Sequence, residues 1–168
     1  MDADVIIVGA GPVGLLLANL LGSCGVSTLV IEREIKRRPG SRAIGVSPPS
    51  LQILRQIGLD EKFVQNGIKG VRVSFHGTRA YLGSIKIRSL PTPYPYLLAL
   101  PQATTESYLE GNLGNYPVVT VMRGWKCPGV ENLLDHVRVH LQNVVDNTDT
   151  TLTAKFAVGC DGAHSCVR

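Results

Sequence analysis

Gly9, Gly11 and Gly14 stand at G-x-G-x-x-G spacing, and an acid, Glu32, follows 18 residues after the last of them. Glycines so spaced can make a tight turn off a strand, admit a pyrophosphate to the backbone, and let a helix lie close on a strand. The phosphate then meets a helix N-terminus, whose free N–H groups carry partial positive charge. Pro12 suits the first helical turn, where its missing N–H costs nothing. A carboxylate at Glu32 can accept hydrogen bonds from an adenosine ribose and repels a 2′-phosphate. The chemistry is that of binding FAD or NAD rather than NADP, and these residues alone leave FAD and NAD both open.

Other residues carry weaker signals. Arg33, Lys36, Arg37, Arg38 and Arg42 are five cations within ten residues. Such a run is mostly a solvated loop face. Arg42 stands out because small residues follow it and let the chain pass close to a ligand, and because a guanidinium grips a pyrophosphate bidentately. Asp161 and Gly162 occupy a second bare turn, "VGCDGAH", although Asp-Gly is common in turns. His164 reads as a surface or capping residue rather than a base. Cys24, Cys127, Cys160 and Cys166 form neither a CxxC nor a metal-ligand spacing with the four histidines. Reduced, mostly buried thiols and no metal are expected.

These residues need elements to hold them. Val5 to Val8 are continuously apolar, as in a strand buried on both faces of a parallel sheet, and end at Gly9. Val13, Leu16, Leu17, Leu20 and Leu21 repeat at helical spacing and predict an apolar stripe, stopped by Gly22 and Gly25. Ser27 to Ile31 form a second buried strand closed by Glu32. After it, "REIKRRPGSRAIGVSPPS" is a basic loop rich in Pro, Gly and Ser, where a nicotinamide dehydrogenase would continue its strand and helix pairs. Ser47 and Pro48 look like the cap and first residue of a helix with Leu51, Leu54 and Ile57 inward and Gly58 as its stop. Strands are predicted at 71–75, 81–87, 96–100, 118–122, 136–141 and 151–158, with "VDNTDT" as a hairpin loop. A helix is predicted over "PQATTESYLEGNLG", and another begins after Gly162.

A chain of 168 residues, 44% hydrophobic, has the size and apolar content of one soluble domain. No apolar run reaches the roughly 18 residues of a membrane span. Asp2 and Asp4 stand where a signal peptide carries cations, so a cytoplasmic location is expected. The net charge of +4 is concentrated in the basic loop, and aromatic residues are only 5%, which argues against a nucleic-acid partner.

Taken in order, "GAGPVG", Glu32, "SRAIGVSPPSLQILRQIGL", "LPQATTESYLEGNL" and "VGCDGAHSCVR" make the chain resemble the class A flavoprotein monooxygenases, the family of p-hydroxybenzoate hydroxylase and the phenol hydroxylases. The resemblance implies an α/β, Rossmann-like βαβ FAD-binding fold with inserted antiparallel strands. It implies one FAD-binding domain over 1–168, incomplete relative to the family, with 70–100 in a substrate-side sheet. It assigns Gly9, Gly11, Pro12, Gly14 and Glu32 to the ADP half of FAD, and places Arg33, Arg42, Gln102, Asp161 and Gly162 at the cofactor. The implied reaction uses NAD(P)H as transient reductant and hydroxylates a small aromatic or polyketide-like substrate. No catalytic residue is identified. The sequence contains no Gly-Asp dipeptide and ends before the family's GD motif, so coupled hydroxylation by this chain alone is not expected. The alternative is a truncated non-redox relative: a small-molecule binder, a cyclase or isomerase, or a partner subunit. A homodimer or a partner chain is expected to cover the truncated face.

Overall fold

The computed structural model describes residues 1–37, 45–163 and 165–167. Along the chain run β1 (Ala3–Val8), α1 (Pro12–Ser23), β2 (Thr28–Glu32), β3 (Gly45–Val46), α2 (Pro48–Gln56), α3 (Asp60–Asn66), β4 (Ile68–Gly70), β5 (Arg72–His76) and β6 (Tyr81–Lys86). There follow β7 (Leu97–Ala99), α4 (Gln102–Asn112), β8 (Val119–Arg123), β9 (Trp125–Asn132), β10 (Val137–Asn143) and β11 (Asp149–Gly159). They build two compact units, Met1–Pro39 with Glu106–Arg168, and Gly40–Thr105.

The first unit is a six-stranded sheet in the order β8-β2-β1-β11-β10-β9. The four strands β8, β2, β1 and β11 are parallel, and β10 and β9 continue the sheet antiparallel. β1 lies between two parallel neighbours, so Ile6 and Ile7 are both fully buried, as their continuous apolar run requires. Ile6, Val8, Ile31, Val139, Leu141 and Ala154 form a core cluster contributed by four different strands.

Helix α1 corrects one expectation. Val13 is 68% exposed, Leu16, Leu17, Leu20 and Leu21 are half-buried, and the buried face is Gly14, Leu15, Ala18, Asn19 and Gly22. The reason is distance: small residues let the helix backbone come close, and a Cβ at Gly22 would lie 2.8 Å from Val119 and 2.9 Å from Tyr116. Asn19 is fully buried, and its Nδ2 donates to the carbonyls of Leu15 (2.8 Å) and Leu109 (2.9 Å) while Asn112 donates to its Oδ1 (2.8 Å). A buried amide with every bond made fixes where α1 sits in a way an apolar side chain could not.

β9 was not expected as a strand, and Pro128 and Gly129 lie within it. It is tolerated as the sheet's edge strand, where proline need not donate, and its register against β10 shifts between His140 and Gln142. The helix expected after Gly162 is absent among the described residues from Asp161 to Val167, which form a turn instead. The hairpin loop between β10 and β11 is as expected, with Asn147 at φ 58°.

In the second unit, Ser47 caps α2 by accepting from Ser50 N–H at 3.3 Å, Leu51, Leu54 and Ile57 are buried, and Gly58 at φ 70° ends the turn. β3, β7 and β4 form a small antiparallel sheet, and β5 and β6 a separate two-stranded one. α3 is short and was not anticipated; its Phe63 is fully buried. Among the described residues, no helix is long and apolar enough to cross a membrane.

Candidate functional site

Three adjacent parallel strands end side by side, and each end carries part of the sequence pattern. Val8 pairs with Ile31 on one side and with Gly159 on the other. Just beyond, Gly9 N–H donates to the Ile31 carbonyl and Cys160 N–H to the Val8 carbonyl, both at 2.7 Å. The turn after β1, Glu32 at the end of β2 and the Cys160-Asp161-Gly162 turn after β11 are thereby brought together. Ligands of open parallel sheets bind at such carboxyl ends.

The glycines have separable roles. Gly9 has φ 109°, and a Cβ there would fall on the Cys160 carbonyl and 2.8 Å from the Asp161 nitrogen. The two turns thus touch backbone to backbone. A Cβ at Gly14 would collide with the Gly9 carbonyl oxygen, so that residue sets the closeness of α1 to the turn. Gly11, the N-cap of α1, has nothing within 4 Å of a Cβ position: the space beside it is open. It supplies no capping oxygen, and the first turn of α1 holds no acid. The N-terminal amides of α1 are left for an anion to meet.

Glu32 does more than its type suggested. Its Oε2 accepts from Ala10 N–H at 2.8 Å and its Oε1 from Glu34 N–H at 2.9 Å, so one half-buried carboxylate braces the glycine turn and the chain leaving β2. Nothing in periodicity or spacing signals the bond to Ala10, which depends on β1 and β2 ending level.

Asp161 is held most firmly through one oxygen. Oδ2 accepts from Cys166 N–H at 2.8 Å, whereas Oδ1 is buried with no well-aligned partner among the described residues. Burial pushes this carboxyl up, but the Ser165 hydroxyl and the Cys166 amide and thiol pull it down harder and leave it below the usual carboxylate range. An ionised carboxylate with one oxygen lacking a well-aligned partner among the described residues keeps capacity to accept a further hydrogen bond. Ser165 and Cys166 were missed as supports, since only the fold of the turn brings them back onto Asp161.

The remaining expected residues lie elsewhere. Arg33 is exposed and paired with Glu34 at 3.4 Å, and Arg37 pairs with Glu110 at 3.1 Å. Together with Lys36 and Lys126 they line an open cavity of about 810 Å³ that none of the glycine-turn residues lines. Gln102 opens α4 within the second unit and is half-buried. Arg42, Arg38 and His164 lie outside the described residues. No disulfide joins the cysteines; Cys24 is exposed and the other three half-buried, against the expectation that most would be buried. Burial pushes the Cys127 and Cys160 thiols up and Cys166 to about 12, which disfavours the reactive thiolate at each.

Comparison with known proteins gives one consistent picture. Residues 2–168 match the family described as "FAD binding domain". The chain is 38% identical over 170 residues to an uncharacterized aromatic compound monooxygenase, YhjG, of Bacillus subtilis (strain 168), covering 100% of this chain and 33% of that protein. The solved structure of OxyS, an anhydrotetracycline hydroxylase from Streptomyces rimosus, superposes with a TM-score of 0.88 at 33% identity over 100% of this chain and 33% of that one. PyrE3, a Diels-Alderase in the biosynthesis of pyrroindomycins, superposes with a TM-score of 0.79 at 30% identity over 98% of this chain and 33% of that one. The chain spans about a third of the length of these relatives.

Proposed function

The chain belongs to the FAD binding domain family, and from that premise we propose that the glycine turn, Glu32 and the Asp161 turn together hold the FAD of an aromatic hydroxylase. The observation that carries this is the meeting of the three turns at the carboxyl ends of β1, β2 and β11, with open space at Gly11 and an Asp161 oxygen that has no well-aligned partner among the described residues. The residues present fit the cofactor. Gly9, Gly11, Pro12 and Gly14 form the cradle in which the amides at the start of α1 meet the pyrophosphate. Glu32 takes the adenosine ribose with the lone pairs that Ala10 and Glu34 leave over. Asp161 and Gly162 contribute the second turn, and Arg33, Arg42 and Gln102 are further contacts by resemblance.

When bound, the flavin supplies electron transfer from NAD(P)H and oxygen transfer to an electron-rich ring. What this chain supplies is binding and orientation: the glycine turn sets where the pyrophosphate lies, and the half-buried Asp161 carboxylate, held below the usual carboxylate range, accepts a hydrogen bond. The same proposal takes NAD(P)H as transient reductant, a small aromatic or polyketide-like substrate and a cytoplasmic setting. The family and the monooxygenase and hydroxylase relatives support it. A second reading is non-redox use of the same FAD site, as a cyclase, binder or partner subunit, and the fold shared with a Diels-Alderase favours keeping it.

Titration of the 168-residue chain with FAD, followed by flavin fluorescence and visible absorption, tests the binding site. Saturable binding competed by ADP and weakened at least tenfold by Asp161→Ala is expected. A titration without saturation refutes the site. Incubating the FAD-loaded protein with NADPH and a panel of phenols then separates the two readings by product analysis.

A further inference from the structure

Of the four cysteines, two meet. The Cys127 and Cys166 thiols are hydrogen-bonded to one another, and both side chains pack against the core cluster of the first unit. No disulfide joins them. Cys160 has no thiol partner among the described residues, and Cys24 is exposed at the end of α1.

The backbone explains the meeting. Lys126 pairs with Gln142 and Gly129 with His140, so Cys127 and Pro128 share the place opposite Leu141. That is a β-bulge, which re-aims a side chain and interrupts the ladder locally. The Cys127 thiol donates there to the Gly129 carbonyl at 3.5 Å. Cys166 lies in the turn after β11, which Asp161 draws back by accepting from Cys166 N–H at 2.8 Å. Neither a bulge nor a turn is locked into a regular ladder, so each can make the small adjustment that a sulfur–sulfur bond requires. All of these parts belong to the first unit, and their contacts are with one another rather than with an uncovered edge or face. The Cys166 thiol also reaches Asp161: burial raises that carboxyl, and the thiol is one of the groups whose hydrogen bonds outweigh the burial.

We propose that Cys127 and Cys166 are a thiol pair that a hydroperoxide converts to a disulfide, and that this bond loosens the Asp161 turn and weakens the nucleotide site. The second half rests on the FAD site proposed above. In the first step the Cys127 thiolate attacks an oxygen of the hydroperoxide and the O–O bond breaks, leaving a sulfenic acid on Cys127 and an alcohol, or water when the oxidant is hydrogen peroxide. The Cys166 sulfur then attacks the Cys127 sulfur. The S–S bond forms, the S–O bond breaks, and water leaves with the proton of the Cys166 thiol. Two electrons pass from the two thiols to the peroxide. The order follows from the pair itself: burial pushes both thiols up, Cys166 to about 12, while the bond between them pulls Cys127 back down and pushes Cys166 further up, so Cys127 ionises first. A scarce thiolate makes the first step slow, and a partner already in contact makes the second fast. The disulfide has no S–H left to offer Asp161, and the Cys166 sulfur is then tethered to β9.

The test treats the 168-residue chain with hydrogen peroxide at neutral pH, blocks the remaining thiols with iodoacetamide and reads unreduced peptides by mass spectrometry. Linkage of the Cys127 peptide to the Cys166 peptide, reversed by dithiothreitol, is expected. Trypsin leaves Cys160 and Cys166 in one peptide, so Cys160→Ser, expected to keep the link, and Cys166→Ser, expected to lose it, identify the partner. Both keep a hydroxyl where the thiol was, and circular dichroism checks that they fold. In hydrogen exchange the Cys166 amide is expected to open faster in the oxidised chain. FAD affinity, titrated by flavin fluorescence, should fall severalfold and return on reduction, while Cys127→Ala binds FAD like the parent and ignores peroxide. Linkage to Cys160, sulfinic acid in place of linkage, or linkage that leaves Cys166 exchange or a measurable FAD affinity unchanged overturns the proposal. A chain that binds no FAD even before oxidation refutes the FAD site instead, and linkage with Cys166 exchange then decides the thiol pair by itself.

Discussion

Replacing Glu32 by glutamine, a nearly isosteric change, is expected to destabilise the first unit before any ligand is added. The carboxylate accepts from Ala10 N–H at 2.8 Å through one oxygen and from Glu34 N–H at 2.9 Å through the other. A glutamine can offer its carbonyl to only one of these amides, and its NH₂ group then faces the other, donor against donor. A hydrogen bond to a charged group contributes about 1.5–3 kcal/mol, and a buried donor left unpaired costs about 1–3 kcal/mol. Water reaches the half-buried Glu32 and repairs part of this, so a net loss of about 1–2 kcal/mol is expected. Urea unfolding followed by the fluorescence of Trp125 reports on the right part of the molecule, because this single tryptophan packs against the core of the same unit. FAD affinity should fall in parallel by about tenfold, since 1.4 kcal/mol is a factor of ten. Stability within about 0.3 kcal/mol of the parent, well under the cost of one unpaired donor, would refute the two-amide brace. Lost stability with unchanged FAD affinity would leave the brace standing and remove the ribose from Glu32.

The glycines should rank by what a methyl group meets. Gly14→Ala drives Cβ into the Gly9 carbonyl and should cost about 3 kcal/mol, while Gly22→Ala meets side chains of Tyr116 and Val119 that can shift and should cost about 1 kcal/mol. Gly11→Ala enters open space and should change stability by less than about 1 kcal/mol while weakening FAD, so urea midpoints in any other order contradict the assigned roles. Because the folded state lowers the Asp161 pKa from 3.8, its contribution is present above about pH 4 and is lost as pH falls through the lower folded value. Asp161→Asn should therefore flatten the stability profile below pH 4 and lower it above, and a variant profile parallel to the parent's would show that the carboxyl is not specially held. A thiol reagent at neutral pH should label exposed Cys24 first, with Cys127, Cys160 and Cys166 reacting only slowly or after unfolding; four equal rates by mass spectrometry would contradict their burial and raised pKa values.

Features held by neighbours in the chain were legible in the sequence. The run from Val5 to Glu32 shows its strand, glycine turn, helix and strand because each depends on local backbone preference and on a continuous apolar run. The same holds for the Ser47 cap, the inward Leu51, Leu54 and Ile57, and the stop at Gly58. Tertiary structure decided what distance along the chain conceals. β11 inserts beside β1 and carries Asp161 to the glycine turn about 150 residues away in sequence, and "DG" alone could not show this. α1 turns Gly14, Leu15, Ala18, Asn19 and Gly22 to its neighbours, because close backbone approach around Gly14 and Gly22 outweighs the leucine stripe that periodicity favours. β9 exists despite Pro128 because an edge strand need not donate every N–H, and edge position is a property of the finished sheet. Glu32 could be recognised as an acid at a strand end, but its grip on Ala10 required two strands to finish level. Residue types and short spacings thus determined which groups this protein offers to a nucleotide, and sheet order decided which of them meet.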